Sequence, residues 1–122
     1  MNRLIEEAMF YRMPLRVAFM KNALQRMPWV SYAKRLRYNA LFRPQYGYCI
    51  YNAALLARSL GYREISVIEF GVAGGNGLVN VERHVREITK ELGIKFQVYG
   101  FDIGSGLPKP QDYRDMPYMW QE

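Results

Sequence analysis

The stretch Ile65–Phe70, reading ISVIEF, constrains the fold of this chain more than any other. It is β-branched and almost continuously apolar, which suits a strand covered on both faces, as in a parallel sheet. Glu69 interrupts the apolar run near its end, and Gly71, Gly74, Gly75 and Gly77 follow at once. Beyond them Val81, Val85, Ile88 and Leu92 recur at helical spacing, and Gly93 ends the pattern. Lys95–Asp102, KFQVYGFD, reads as a second strand. Strand, helical crossover and strand make a βαβ unit, right-handed by strong precedent. The expected fold class is therefore α/β.

Open parallel sheets bind ligands beyond the carboxyl ends of their strands. Glu69–Gly77 and Asp102 sit at two such ends. Chain reversal alone needs one or two glycines, whereas four let a ligand approach the backbone and the N–H groups of the following helix. Dinucleotides call for a G-x-G-x-x-G turn against their pyrophosphate. GVAGGN lacks the second and third glycines of that register. Glu69 would also repel a pyrophosphate. It suits instead a ligand carrying an ammonium and a sulfonium, and S-adenosylmethionine carries both without a phosphate. Asp102 is placed to accept hydrogen bonds from ribose hydroxyls. A second reading of Glu69 stays open, that of a structural carboxylate bonding the N–H groups of the turn itself.

EFGVAGG, Glu69–Gly75, resembles the E-x-G-x-G-x-G first motif of class I S-adenosylmethionine-dependent methyltransferases, with Ala73 where the middle glycine usually stands. VYGFDIGSGLP resembles the following segment, often F-D-S-x-E-G-L-P, of the macrocin O-methyltransferase-like group. Asp102, Gly106, Leu107 and Pro108 match it, while Ile103 and Ser105 depart from it. The resemblance runs from about Arg43 to Trp120. It implies a Rossmann-like methyltransferase fold, incomplete here, with N-terminal helices and the first βαβ unit of a seven-stranded sheet. It further implies that Glu69, Gly71, Ala73, Gly75 and Asp102 contact S-adenosylmethionine, while Gly74, Asn76 and Gly77 shape the turn. The chain is then expected to be the N-terminal part of a longer enzyme, inactive alone. Its acceptor would be a small molecule methylated on oxygen or nitrogen. The alternative to truncation is completion by a partner chain or by self-association. Two rival functions stand beside this one. They are a Rossmann protein binding NAD or another nucleotide, and a non-catalytic interaction module with basic helices.

The division expected along the chain is a basic helical segment over residues 1–45 and the methyltransferase half over 46–122. Nine of the 17 Lys/Arg residues fall between Arg3 and Arg43, against only Glu6 and Glu7. Pro14 and Pro28 break that segment into short helices, expected near Arg3–Met13, Leu15–Met27 and Tyr32–Leu41. The basic segment reads as a helical lid or dimer contact with solvated cations, and no nucleic-acid motif accompanies it. FRPQYGYCI reads as a connector around Pro44 and Gly47, followed by a helix over YNAALLARSLG in which Gly61 supplies a left-handed cap.

A chain that is 50% hydrophobic and 15% aromatic is not of disordered composition, and 122 residues suit one domain. No apolar run approaches the ~20 residues of a membrane span, and no secretory pattern opens the chain. With Cys49 as the one cysteine and His84 as the one histidine, neither an internal disulfide nor a His-based metal cluster is expected, and the expected location is cytoplasmic. Cys49 reads as a small core residue. His84 reads as a boundary or solvent-facing residue rather than a catalytic one. Tyr46 and Tyr48 are candidates either for ligand contact or for packing. DYRDMPYMW, with Tyr113, Arg114, Asp115, Tyr118 and Trp120, is either an acceptor-recognition loop or a packing segment. No catalytic residue is identified.

Overall fold

The computed structural model describes residues 14–106 and 109–115. The helix expected over Arg3–Met13, together with Leu107, Pro108, Tyr118 and Trp120, lies outside the described residues. Helix α1 spans Leu15–Arg26 and stops where Met27 turns extended before Pro28. Helix α2, Tyr32–Arg37, starts at Ser31, whose hydroxyl accepts the Lys34 N–H at 3.3 Å. It ends four residues earlier than expected. Asn39 adopts a left-handed φ of 55°, Ala40 N–H reaches Arg35 C=O, and Asn39 N–H reaches Leu36 C=O. That bond pattern is a Schellman cap, with asparagine in the glycine position.

Helix α3 covers Pro44–Ser59, so the expected connector is helical instead. Proline lacks only an N–H that the first turn leaves unused, and its fixed φ suits that position. The helix runs through residue 45. Gly61 caps α3 as expected, with a left-handed φ of 84° and a Tyr62 N–H bond to Ala57 C=O. Strand β1 is Glu64–Phe70, helix α4 is Asn76–Leu92 and strand β2 is Lys95–Phe101. Gly93 closes α4 in the left-handed conformation. A short 3-10 turn follows at Tyr113–Asp115.

The strands pair in parallel, Glu64 opposite Lys95 and Phe70 opposite Phe101. One sheet face packs on the helices. Ile65, Val67, Phe96 and Val98 lie against a core of Tyr32, Ile50, Ala54, Val81, Val85, Ile88 and Ile94. The structure corrects the expectation that both faces are covered. Ile68, Phe70, Tyr99 and Phe101 form an exposed apolar face, with Phe70 at 78% exposure and its ring stacked on Phe101 at 5.5 Å. The reason is that α3 and α4 both pack on the Ile65–Val67 side.

Polar contacts dock α2. Tyr32 N–H and Ala33 N–H, in its first turn, donate to Glu91 at 2.5 and 3.3 Å, and Tyr51 hydroxyl donates to the same carboxylate at 3.1 Å. Arg35 pairs with Glu87. A carboxylate at a helix N-terminus meets the positive end of the dipole and satisfies orphan donors. Glu91→Ala is expected to lower unfolding stability by about 1–2 kcal/mol, read from the urea midpoint.

Candidate functional site

The expected site residues Glu69, Gly71, Ala73, Gly74, Gly75, Asn76, Gly77 and Asp102 lie at the carboxyl end of the sheet, along the β1–α4 turn and just past β2. Strand alternation turns Glu69 toward the covered face, in line with Ile65 and Val67. Its Oε1 accepts the Tyr46 hydroxyl at 3.2 Å. Its Oε2 is buried with no hydrogen-bond partner among the described residues. A Cβ at Gly77 would stand 1.9 Å from Oε1 and 2.8 Å from Cδ. Gly77 therefore makes room for this carboxylate over the first turn of α4.

The turn itself uses its glycines unequally. Gly71 has a φ of 78° and donates its N–H to Phe101 C=O at 2.8 Å. Gly75 has a φ of 81° and donates to Val72 C=O at 2.9 Å. Gly74 has no positive φ, and open space lies where its Cβ would be. Ala73 holds a left-handed φ of 46°, a conformation that costs an L-residue about 1–2 kcal/mol. Asn76 begins α4, and its carbonyl accepts the buried Asn80 side chain at 2.6 Å. No side chain caps this helix and no acid lies in its first turn.

Asp102 takes the turn-binding role that was open for Glu69. Its Oδ2 accepts Ala73 N–H at 2.8 Å, and its Oδ1 accepts Gly104 N–H at 2.7 Å. The Ala73 and Gly104 amides hold its carboxyl below the usual carboxylate range. Each carboxylate oxygen has a second lone pair, so acceptor capacity remains. The two acids thus differ in kind: Asp102 is exposed and bound by backbone donors, whereas Glu69 keeps one buried oxygen without a donor among the described residues.

His84 is buried at 5% exposure, which corrects the boundary reading. Its Nε2 lies 3.0 Å from Phe42 C=O, so that nitrogen carries the hydrogen, and Nδ1 accepts from the Tyr32 hydroxyl at 2.8 Å. Burial, followed by the charge of Glu87, pushes the Tyr32 phenol well up. The ring of His84 also lies against Gly47, where a Cβ would be 3.1 Å from Cε1 and 2.5 Å from the Tyr32 oxygen. Sequence periodicity missed this contact because His84 and Gly47 come from different helices. Cys49 is exposed rather than in the core, because α3 turns Gly47 and Ile50 inward and leaves residues 48 and 49 outside. Tyr48 is likewise exposed, and so is Tyr113. Arg114 pairs with Asp112, and Asp115 accepts the Gln111 N–H. Among the described residues no group of three His, Cys, Asp or Glu side chains is placed to hold a metal ion, and no helix is long and apolar enough to cross a membrane.

Compared with known proteins, the chain matches no family model, no curated protein and no solved structure.

Two measurements follow. Ala73→Gly keeps the amide bonded to Asp102 and relieves the left-handed alanine, so unfolding stability is expected to rise by about 1 kcal/mol. Burial holds the His84 imidazole below its ordinary range, with the Phe42 and Arg43 backbone and Glu87 opposing. The unfolded chain then takes up that proton first, so the stability contribution is full above pH about 6.5 and is lost as pH falls from there. Urea midpoints between pH 8 and pH 5.5 are expected to drop, and His84→Gln to flatten that drop.

Proposed function

We propose that this chain is the S-adenosylmethionine-binding portion of a class I methyltransferase with an incomplete Rossmann-like fold, acting in the cytoplasm on a small-molecule acceptor. The observation that carries this reading is the oxygen of Glu69, the penultimate residue of β1, that is buried with no donor among the described residues. A buried carboxylate oxygen left unbonded costs free energy, and a cationic donor offsets that cost. The ammonium of S-adenosylmethionine is such a donor. A pyrophosphate would add a second negative charge at the same place, which disfavours the NAD reading. Asp102 would accept the ribose hydroxyls on the lone pairs left over from Ala73 and Gly104. Gly71, Ala73, Gly74, Gly75, Asn76 and Gly77 would form the backbone wall, open at Gly74. The exposed apolar face of Ile68, Phe70, Tyr99 and Phe101 is the face that helices cover in a parallel sheet with helices on both sides, which supports the reading of an incomplete fold.

S-adenosylmethionine supplies an electrophilic methyl group when bound. In this reading the chain's own residues orient it. Glu69 fixes one end through charge, Asp102 fixes the sugar, and the turn sets the distance between them. Positioning of this kind is a large part of the rate of an in-line displacement. Calorimetric titration of the full natural protein is expected to show binding of S-adenosylhomocysteine and none of NAD. Glu69→Gln is expected to weaken the former by about tenfold or more. Binding of NAD without S-adenosylhomocysteine would sink the proposal.

A further inference from the structure

We propose that Tyr46 is a positioning residue of the Glu69 site, and that the buried Tyr32–His84 pair sets Tyr46 in place. This rests on the reading of Glu69 as the partner of a ligand ammonium. A glutamate side chain has three rotatable bonds, and nothing about β1 alone decides which oxygen faces the ligand. The Tyr46 hydroxyl, 23 residues away in sequence, holds Oε1 at 3.2 Å and so leaves Oε2, buried without a partner among the described residues, as the oxygen that an ammonium would have to reach. Gly77 allows the arrangement, because any side chain there would occupy the position of Oε1.

Tyr46 in turn sits in the first turn of α3, its N–H bonded to Arg43 C=O at 3.0 Å. Arg43 is the residue before that helix and carries a left-handed φ of 47°, a strained conformation for an arginine. His84 braces this turn on both sides. Its Nε2 binds the carbonyl of Phe42, just before Arg43, and its ring packs on Gly47, just after Tyr46. Tyr32, at 1% exposure, fixes the ring through Nδ1. The Arg43 guanidinium lies over the Tyr46 ring, 5.6 Å from its centre, and adds a cation–π contact to it. The chain of contacts therefore runs from Tyr32 through His84 and the first turn of α3 to Tyr46, and ends on Glu69.

The test uses calorimetry on the full natural protein with two probes. S-adenosylhomocysteine carries the ammonium, and 5′-methylthioadenosine lacks it. Tyr46→Phe is expected to weaken S-adenosylhomocysteine by about tenfold while leaving 5′-methylthioadenosine within about twofold. Tyr32→Phe, which removes only the bracing hydroxyl, is expected to give the same pattern more weakly, and His84→Gln to resemble it. Equal losses for both probes, or no loss for either, overturn the positioning role while leaving the cofactor reading intact. If the unaltered protein binds neither probe, the cofactor reading itself falls, and this inference with it.

Discussion

Where α2, α3 and α4 meet, Tyr32 and His84 are buried with one hydrogen bond between them and a second to the Phe42 carbonyl. Two polar side chains without partners at such depth would each cost free energy comparable to a lost hydrogen bond. Paired, they are compatible with the core. The geometry also demands a glycine at position 47, inside a helix, where glycine costs about 1 kcal/mol relative to alanine. That cost is tolerated because a larger residue would strike the Tyr32 oxygen. This contact lies where α3 packs on α4 alongside Ile50, Ala54, Val81 and Val85, and the first turn of α3 reaches the carboxyl end of β1.

A second constraint lies in the sheet. Two parallel strands with helices on one side leave the Ile68, Phe70, Tyr99 and Phe101 face in water. A sheet of this size is marginal by itself, and an apolar face of four large side chains is of the kind that other elements or partners cover. On the covered side, Gly100 matters for a steric reason. A Cβ there would come within 2.9 Å of Val72 and 3.0 Å of Leu78, so the glycine lets the β1–α4 turn settle over the end of β2. Asp102, two residues on, then reaches the Ala73 amide.

Much of this was legible in the amino-acid order. ISVIEF and KFQVYGF announce strands through β-branched and aromatic content. Val81, Val85 and Ile88 mark the buried stripe of α4 by their spacing, and Gly61 and Gly93 mark helix ends by their freedom to adopt positive φ. The candidate site was legible for the same reason, since the turn lies between two periodic segments. Legibility failed where proline has two meanings. Pro44 reads as a breaker, yet the same missing N–H makes it a good first residue of α3. It failed again at Asn39, where a side chain other than glycine took the left-handed cap.

By itself the sequence determined the strand–turn–helix–strand order, a crossover long enough for parallel pairing, and the acids at both strand ends. These are local properties, set by propensity and period over a few residues. Only the tertiary structure decided which sheet face is covered, that His84 is a core residue bonded to Tyr32, and that Asp102 rather than Glu69 binds the turn. It alone brought Tyr46 to Glu69 and gave Gly77 its reason. Each of these depends on atoms from distant segments meeting within hydrogen-bond or van der Waals distance. No periodicity along one segment encodes such a meeting.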